Sequence, residues 1–419
     1  MKVLFSAWPV GASHIGRCIV IANILKENGF NVAFESDPSG RNLIQREGLN
    51  VIRECNVRDN IVRKPDTDFL AIPGFDWSIA SIGFYNKKRV TNSLDLVLSS
   101  IDRFKPNLIV THMDPIIVLA AKIRGLPVVS IAAKIVLDSG YNPWMPWLKN
   151  YSPPMMYPSA LDAINSVLED YGLNEVESFQ AFFSGDISLV PNVREIEPVK
   201  KAVQDVPLHY VGPLIWNPSN RAKIDFNKFN GQKNKTKVYL TVGSGQIARS
   251  DFFTVFLEKA RERDWQVIVQ GGYDTIDEKN SENIIQVGFG GIAESLDWCD
   301  ICVNHGGHST VLATLLHGKP QLVFPGMSEC ELNGRFMVED NNAGILLNKT
   351  MEENGELMFH SFDNVPSLIG NLTSSQIEIA MDSVTSNIQY RESADQLSGV
   401  LKRALSSQDE KLVEVFSAL

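Results

Sequence analysis

No stretch of this 419-residue chain approaches the ~20 consecutive uncharged apolar residues that a membrane-spanning helix needs, so no transmembrane segment is read. Cysteine is scarce. Its five positions, Cys18, Cys55, Cys299, Cys302 and Cys330, form an odd and scattered set that does not suit a disulfide framework and fits a reducing cytoplasm. Cys299 and Cys302 spell CxxC, but no second Cys or His pair at zinc spacing accompanies them, and the pair sits where a helix end would enter a buried strand. No metal is expected there. Lys/Arg-rich runs are missing too, and the net charge is −10, which argues against a surface that tracks nucleic-acid phosphates. Anionic ligands must then be held locally, by helix N-termini and glycine-rich turns. The apolar stretch Met1 to Ala7 is too brief for a signal peptide and reads as a first strand.

What is present is a globular composition, 44% hydrophobic and 21% charged, in a chain longer than one core usually organises. Two domains of roughly 200 residues each are expected. Short apolar strands alternate with amphipathic stretches, the pattern of parallel α/β sheets. Val3-Leu-Phe-Ser, Val32-Ala-Phe-Glu, Leu108-Ile-Val-Thr and Val128-Val-Ser-Ile read as strands of the first half. Ile19 to Lys26 reads as its first helix, with Gly29 behind it as a C-cap. Val238-Tyr-Leu-Thr-Val, Val267-Ile-Val, Ile284-Ile-Gln-Val, Ile301-Cys-Val-Asn and Gln321-Leu-Val-Phe repeat the plan in the second half. The expected domains are 1–210 and 236–385, joined by a linker over 211–235 rich in Asn, Lys, Pro and Gly. The helical residues 386–419 would pack back on the first domain.

Two segments of the first half, Ala71 to Lys88 and Tyr141 to Pro158, break the pattern. The second concentrates Pro, Trp, Tyr and Met, including Trp144, Trp147, Tyr151 and Met155. Such a segment suits either an adaptable apolar pocket wall or a loop packed into the core.

The most informative stretch is Asn304-His305-Gly306-Gly307-His308-Ser309-Thr310, between a buried strand and a helical run. Glycines let a backbone approach a diphosphate, helix N-terminal amides point at it, and Thr310 offers a hydroxyl. The plainer alternative is tight-turn geometry, with His305 capping a strand end. His308 and His317 lack such a setting and read as surface residues or as residues one layer behind a site. In the first half, His14 lies between strand one and helix one, where a doubly wound sheet opens a crevice. With a reference pKa of about 6.5, a neutral histidine there suits removal of a proton from a hydroxyl. A cap contact at the helix start is the alternative.

The run from His305 to Pro325, followed by Glu329 and Asn333, resembles the donor-binding signature of the UDP-glycosyltransferase superfamily. Val287-Gly-Phe to Leu296, with Asp300, resembles the elements preceding that signature. Gly243-Ser244-Gly245 resembles the other donor-side turn, and Tyr210-Val-Gly-Pro-Leu the interdomain stretch. The likeness is strong over 238–350 and loose in the first half. It implies an α/β protein of the GT-B fold, two Rossmann-like domains whose parallel sheets face across a cleft. The nucleotide would lie mainly in the C-terminal half and the acceptor in the N-terminal half.

By this resemblance His305 and the turn Gly306, Gly307, Ser309 and Thr310 hold the diphosphate, with Gly243 and Ser244 assisting. Glu329 and Cys330 would face the sugar hydroxyls, with Asn333 also on the donor side. His14 would be the base, and Trp144, Trp147, Tyr151 and Met155 would line the acceptor site. The implied activity is an inverting, metal-independent O-glycosyl transfer to a small apolar natural product, as in antibiotic biosynthesis. It uses no cofactor beyond a dTDP- or UDP-linked sugar as co-substrate, and no metal ion. No nucleic-acid partner is expected, and no signature of oligomeric state is present.

Three positions depart from the family pattern. Where many members carry an aspartate that orients the base, this chain has Thr111 or His112, with Asp114 just beyond; His112, Asp114 or a water would take its place in catalysis, the plainer alternative being that both side chains merely end a strand. Plant-type members place a glutamate on the ribose where Ala313 stands, and Cys330 occupies a usual glutamine position. A thiol is a poor partner for a sugar hydroxyl, and both changes lean toward a dTDP-deoxysugar. Two other readings stay open: a transferase acting on a lipid-linked or cell-wall acceptor, and a non-catalytic protein that binds a sugar nucleotide or supports a partner enzyme.

Overall fold

The computed structural model describes residues 1–8, 11–36, 38–54, 72–141, 144–146, 157–219, 223–229, 235–243, 250–271, 282–288, 290–347, 360–362, 365–367 and 373–419. The chain divides into two compact units. The described part of Met1–Lys64, with Ile72–Trp216 and Ala404–Leu419, forms one, and Asn217–Arg403 forms the other.

The first unit contains β1 (Lys2–Ala7), β2 (Asn31–Ser36), β3 (Val51–Glu54), β4 (Leu108–His112), β5 (Val128–Ile131), β6 (Ile187–Val190) and β7 (Leu208–Tyr210). They form a seven-stranded sheet in the order β3-β2-β1-β4-β5-β6-β7, with parallel pairing throughout. The second unit contains β8 (Lys237–Thr241), β9 (Gln266–Gln270), β10 (Ile284–Val287), β11 (Ile301–Asn304), β12 (Gln321–Val323) and β13 (Gly344–Leu346). Their order, β10-β9-β8-β11-β12-β13, follows the same rule, again all parallel. These are two Rossmann-like sheets, and each reverses its strand order once, between β1 and β4 and between β8 and β11. Ligands of such sheets bind beyond the carboxyl ends of the strands at that reversal.

Helices covering a parallel sheet on both faces make its inner strands wholly apolar or buried, and every residue of β4 is buried. In the first core Phe5 stacks on Phe34 with ring centroids 5.1 Å apart. Leu412, Val415 and Phe416 of the last helix, Gln408–Ser417, are part of the same core. Gln408 fastens that helix by donating from Nε2 to the carbonyls of Val211 and Pro213 at 2.7 and 3.1 Å. The preceding helix, Ile388–Ser406, bonds to the second unit, where Ser398 Oγ donates to the Leu316 carbonyl at 2.6 Å.

Two local features differ from the sequence reading. The first helix runs over Ala12–Glu27, beginning at Ala12 rather than Ile19, because Gly11 at φ 91° turns the chain directly into it. The polar Ser13, His14 and Arg17 of its first turns obscure the apolar period. Beyond Trp216, Phe229 stacks on Trp298 at 5.0 Å, so part of the stretch read as linker is packed into the second unit. Cys299 and Cys302 are buried at the entrance to β11, and burial raises both thiols well above their ordinary range, Cys302 to about 12.

Candidate active site

In the first unit the order reversal brings together the first turn of helix Ala12–Glu27 and the end of β4. Ala7 pairs with His112 in register, and the Trp8 amide donates to the His112 carbonyl at 2.8 Å. His14 and His112 meet there, their Nδ1 atoms 2.7 Å apart and their rings edge to face at 75°. Arg17, one turn further along the same helix, approaches His112 Nε2 with a guanidinium nitrogen at 2.7 Å. His112 and Arg17 are buried, whereas His14 is partly exposed.

Asp114 has a different task. Its Oδ1 accepts from the amides of Ile116 and Ile117 at 3.0 and 3.4 Å, capping helix Pro115–Arg124. Its Oδ2 accepts from Ser6 Oγ at 2.5 Å. A carboxylate at a helix start satisfies open amides and meets the positive end of the helix dipole. Of the residues near the expected aspartate position, His112 therefore lies against His14, and Asp114 ties β1 to the next helix. Thr111 accepts the Asp114 amide at 3.3 Å.

The second unit builds its centre at the matching reversal. β11 ends in Asn304, the chain turns through His305, Gly306 and Gly307, and helix His308–Leu316 follows. Asn304 Oδ1 accepts the Gly306 amide at 2.8 Å, and Asn333 Nδ2 donates to the Gly306 carbonyl at 2.9 Å. The glycines are required by close approach. A Cβ at Gly243, whose φ is +68°, would lie 2.4 Å from His305 Cε1, and one at Gly307 would lie 2.4 Å from His305 Nε2. A Cβ at Gly306 would sit 2.4 Å from the Cys330 carbonyl oxygen.

The His305 ring is thus wedged between two glycine backbones. The residue as a whole is partly exposed, but its Nδ1 is enclosed without a hydrogen-bond partner. Enclosure lowers its pKa to about 4, opposed in part by the nearby Thr241 backbone. The ring is neutral near pH 7. Ser309 and Thr310 are partly exposed at the helix start, as is Glu329. Cys330 is buried at 4% exposure, and burial raises its thiol well above the usual range. His308 is also buried, and His317 pairs with Asp297 at 2.8 Å. Ser244 lies outside the described residues.

The two segments that break the α/β pattern meet in the first unit. The Trp144 amide donates to the Pro73 carbonyl at 2.9 Å, and its ring stands edge-on to Phe75 at 4.9 Å. Trp77 faces Tyr157, which stacks on Tyr85. The indole N–H groups of Trp77 and Trp144 are buried and have no hydrogen-bond partner, a state costing about 1–3 kcal/mol each. Trp147, Tyr151 and Met155 lie outside the described residues.

Sequence reasoning missed Arg17, Ser6 and Trp77. Arg17 carried a usable signal: it is three residues beyond His14, so the two share a helix face once the helix is known to start at Ala12. Among the described residues no group of three or more His, Cys, Asp or Glu side chains is placed to hold a metal ion, and no helix is long and apolar enough to cross a membrane.

With one Rossmann-like sheet in each unit, the chain has the GT-B fold. Over its whole length the fold matches the calicheamicin glycosyltransferase CalG4, with a TM-score of 0.69, 16% identity, and 100% of this chain and 97% of that one covered. It also matches the Streptomyces sp. SF2575 glycosyltransferase SsfS6 in complex with thymidine diphosphate, with a TM-score of 0.65, 14% identity and 100% of both chains covered. In sequence the chain is 28% identical over 134 residues to demethyllactenocin mycarosyltransferase of Streptomyces fradiae, covering 31% of this chain and 28% of that protein. The matched stretch thus spans less than a third of that relative's length. No protein-family model matches the chain. These relatives and structural neighbours are glycosyltransferases, as is a PGL/p-HBAD biosynthesis rhamnosyltransferase of Mycobacterium bovis, 21% identical over 272 residues that cover 58% of this chain and 54% of that protein.

Proposed function

We propose that this protein transfers a sugar from a nucleoside-diphosphate donor to a hydroxyl of a small apolar natural product, with inversion at the anomeric carbon. The observation carrying this reading is the turn from β11 into helix His308–Leu316, where two glycine backbones close on a neutral His305 at the strand-order reversal. That turn offers amides and the hydroxyls of Ser309 and Thr310 to a diphosphate, at the positive end of a helix dipole. In the reaction the acceptor O–H breaks as its oxygen bonds to the anomeric carbon. The bond from that carbon to the diphosphate oxygen breaks with it, and the acceptor proton passes to His14. Helix amides and hydroxyls stabilise the charge gathering on the departing diphosphate.

A dTDP-linked donor is favoured by Ala313 in place of a ribose-binding carboxylate, by a buried Cys330, and by the thymidine diphosphate held by a protein of the same fold. The unpartnered indoles of Trp77 and Trp144 suit oxygen atoms on an otherwise apolar acceptor.

The test is a thermal-unfolding panel with UDP, dTDP and GDP species, followed by turnover of the His14→Ala variant. A ligand at about a hundredfold over its Kd should add ~2.7 kcal/mol of stability. Loss of the base should cost about a hundredfold or more in turnover while nucleotide binding persists. A preference for UDP species would discard the dTDP assignment. No shift with any nucleotide at millimolar concentration would overturn the proposal as a whole.

A further inference from the structure

We propose that Arg17, acting through His112, fixes the tautomer of His14 and holds it in the form that donates, rather than accepts, at Nε2. The consequence for catalysis rests on the reading of His14 as the base; the tautomer itself does not.

The geometry leaves little freedom. A guanidinium donates only and keeps its protons at any working pH, so the contact between Arg17 and His112 at 2.7 Å requires His112 Nε2 to accept. A neutral His112 then carries its proton on Nδ1. That nitrogen faces His14 Nδ1 at 2.7 Å, a distance at which one proton must lie between the two rings. His112 supplies it, His14 Nδ1 accepts, and the remaining proton of a neutral His14 sits on Nε2. In the usual arrangement a carboxylate accepts from Nδ1–H and leaves the Nε2 lone pair for proton abstraction. Here the polarity is reversed, because His112 Nε2 meets a guanidinium rather than a carboxylate.

For His14 to act as a base at Nε2, the pair must exchange tautomers. A proton leaves His14 Nε2, the shared proton crosses from His112 Nδ1 to His14 Nδ1, and a proton arrives at His112 Nε2. The proton count of the pair is unchanged. In that state Arg17 and His112 Nε2 would both donate toward each other, so the Arg17 contact has to open. Arg17 is a positioning residue: it withholds the base form of His14 while its contact with His112 persists.

The test is ¹⁵N NMR of the imidazoles in the full chain without donor or acceptor, with His14 and His112 assigned by substitution. In the wild type, His14 is expected to show a protonated Nε2 and a bare, hydrogen-bonded Nδ1. Arg17→Lys retains a donor and should keep that pattern, whereas Arg17→Met removes it and should let the protonated Nε2 signal of His14 give way to the bare form. A wild-type His14 with a bare Nε2 overturns the proposal, as does a folded Arg17→Met protein whose tautomer is unchanged. If Arg17→Met fails to fold, the wild-type spectrum decides alone. Because no sugar is transferred in this experiment, its failure is separate from failure of the proposed function.

Discussion

Acidification offers a direct probe of the wedge that holds His305. Its pKa of about 4 in the folded chain compares with about 6.5 for a free histidine. Between those values the unfolded chain binds a proton that the folded chain refuses. The contribution is therefore complete above pH 6.5, declines as pH falls below it, and is fully lost once pH passes below about 4. The difference sets a ceiling of about 3 kcal/mol at 1.36 kcal/mol per unit. The residue as a whole is partly exposed, and screening by nearby solvent brings the expected figure to about 2 kcal/mol. The assay is a histidine-ring NMR titration, with the His305 resonance identified by its absence in His305→Gln. Thermal unfolding of both proteins from pH 7.5 to 4.5 accompanies it, and the wild type should lose stability more steeply. A His305 midpoint near 6.5, or parallel pH dependences in the two proteins, would refute the reasoning.

Gly307→Ala places a Cβ 2.4 Å from His305 Nε2. It should displace the ring and weaken nucleotide-induced stabilisation by about 1 kcal/mol or more, whereas an undiminished nucleotide shift would show that the wedge is not needed for binding. Phe416→Ala empties a fully buried position of the first core and should cost about 3–5 kcal/mol, measured as a lowered denaturation midpoint of that unit.

The strands that were legible are apolar and rich in β-branched residues, such as Leu108-Ile-Val-Thr and Val267-Ile-Val. Those that were not legible are short or interrupted: Val51–Glu54 ends in two charges, Ile187–Val190 hides a buried Ser188, and Leu208–Tyr210 and Gly344–Leu346 offer three residues each. Their strand character comes from pairing with neighbours, which no local window contains. In the candidate site, the glycine turn announced itself through residue type and order. The partner of His14 did not, because distinguishing His112 from Asp114 required the register of β1 with β4 and the cap geometry of the next helix. Asp114 directly before Pro115 is a helix-start pattern, and that local signal alone favours a capping role over an orienting one.

The placement of Leu412, Val415 and Phe416 in the first core has a consequence for how the chain is made. Translation delivers β1 early, but the hydrophobic interior around it lacks these side chains until residue 416 has left the ribosome. The second unit, encoded within Asn217–Arg403, has its core residues available sooner. Domains usually mature in the order of synthesis; here the unit begun first is the one completed last.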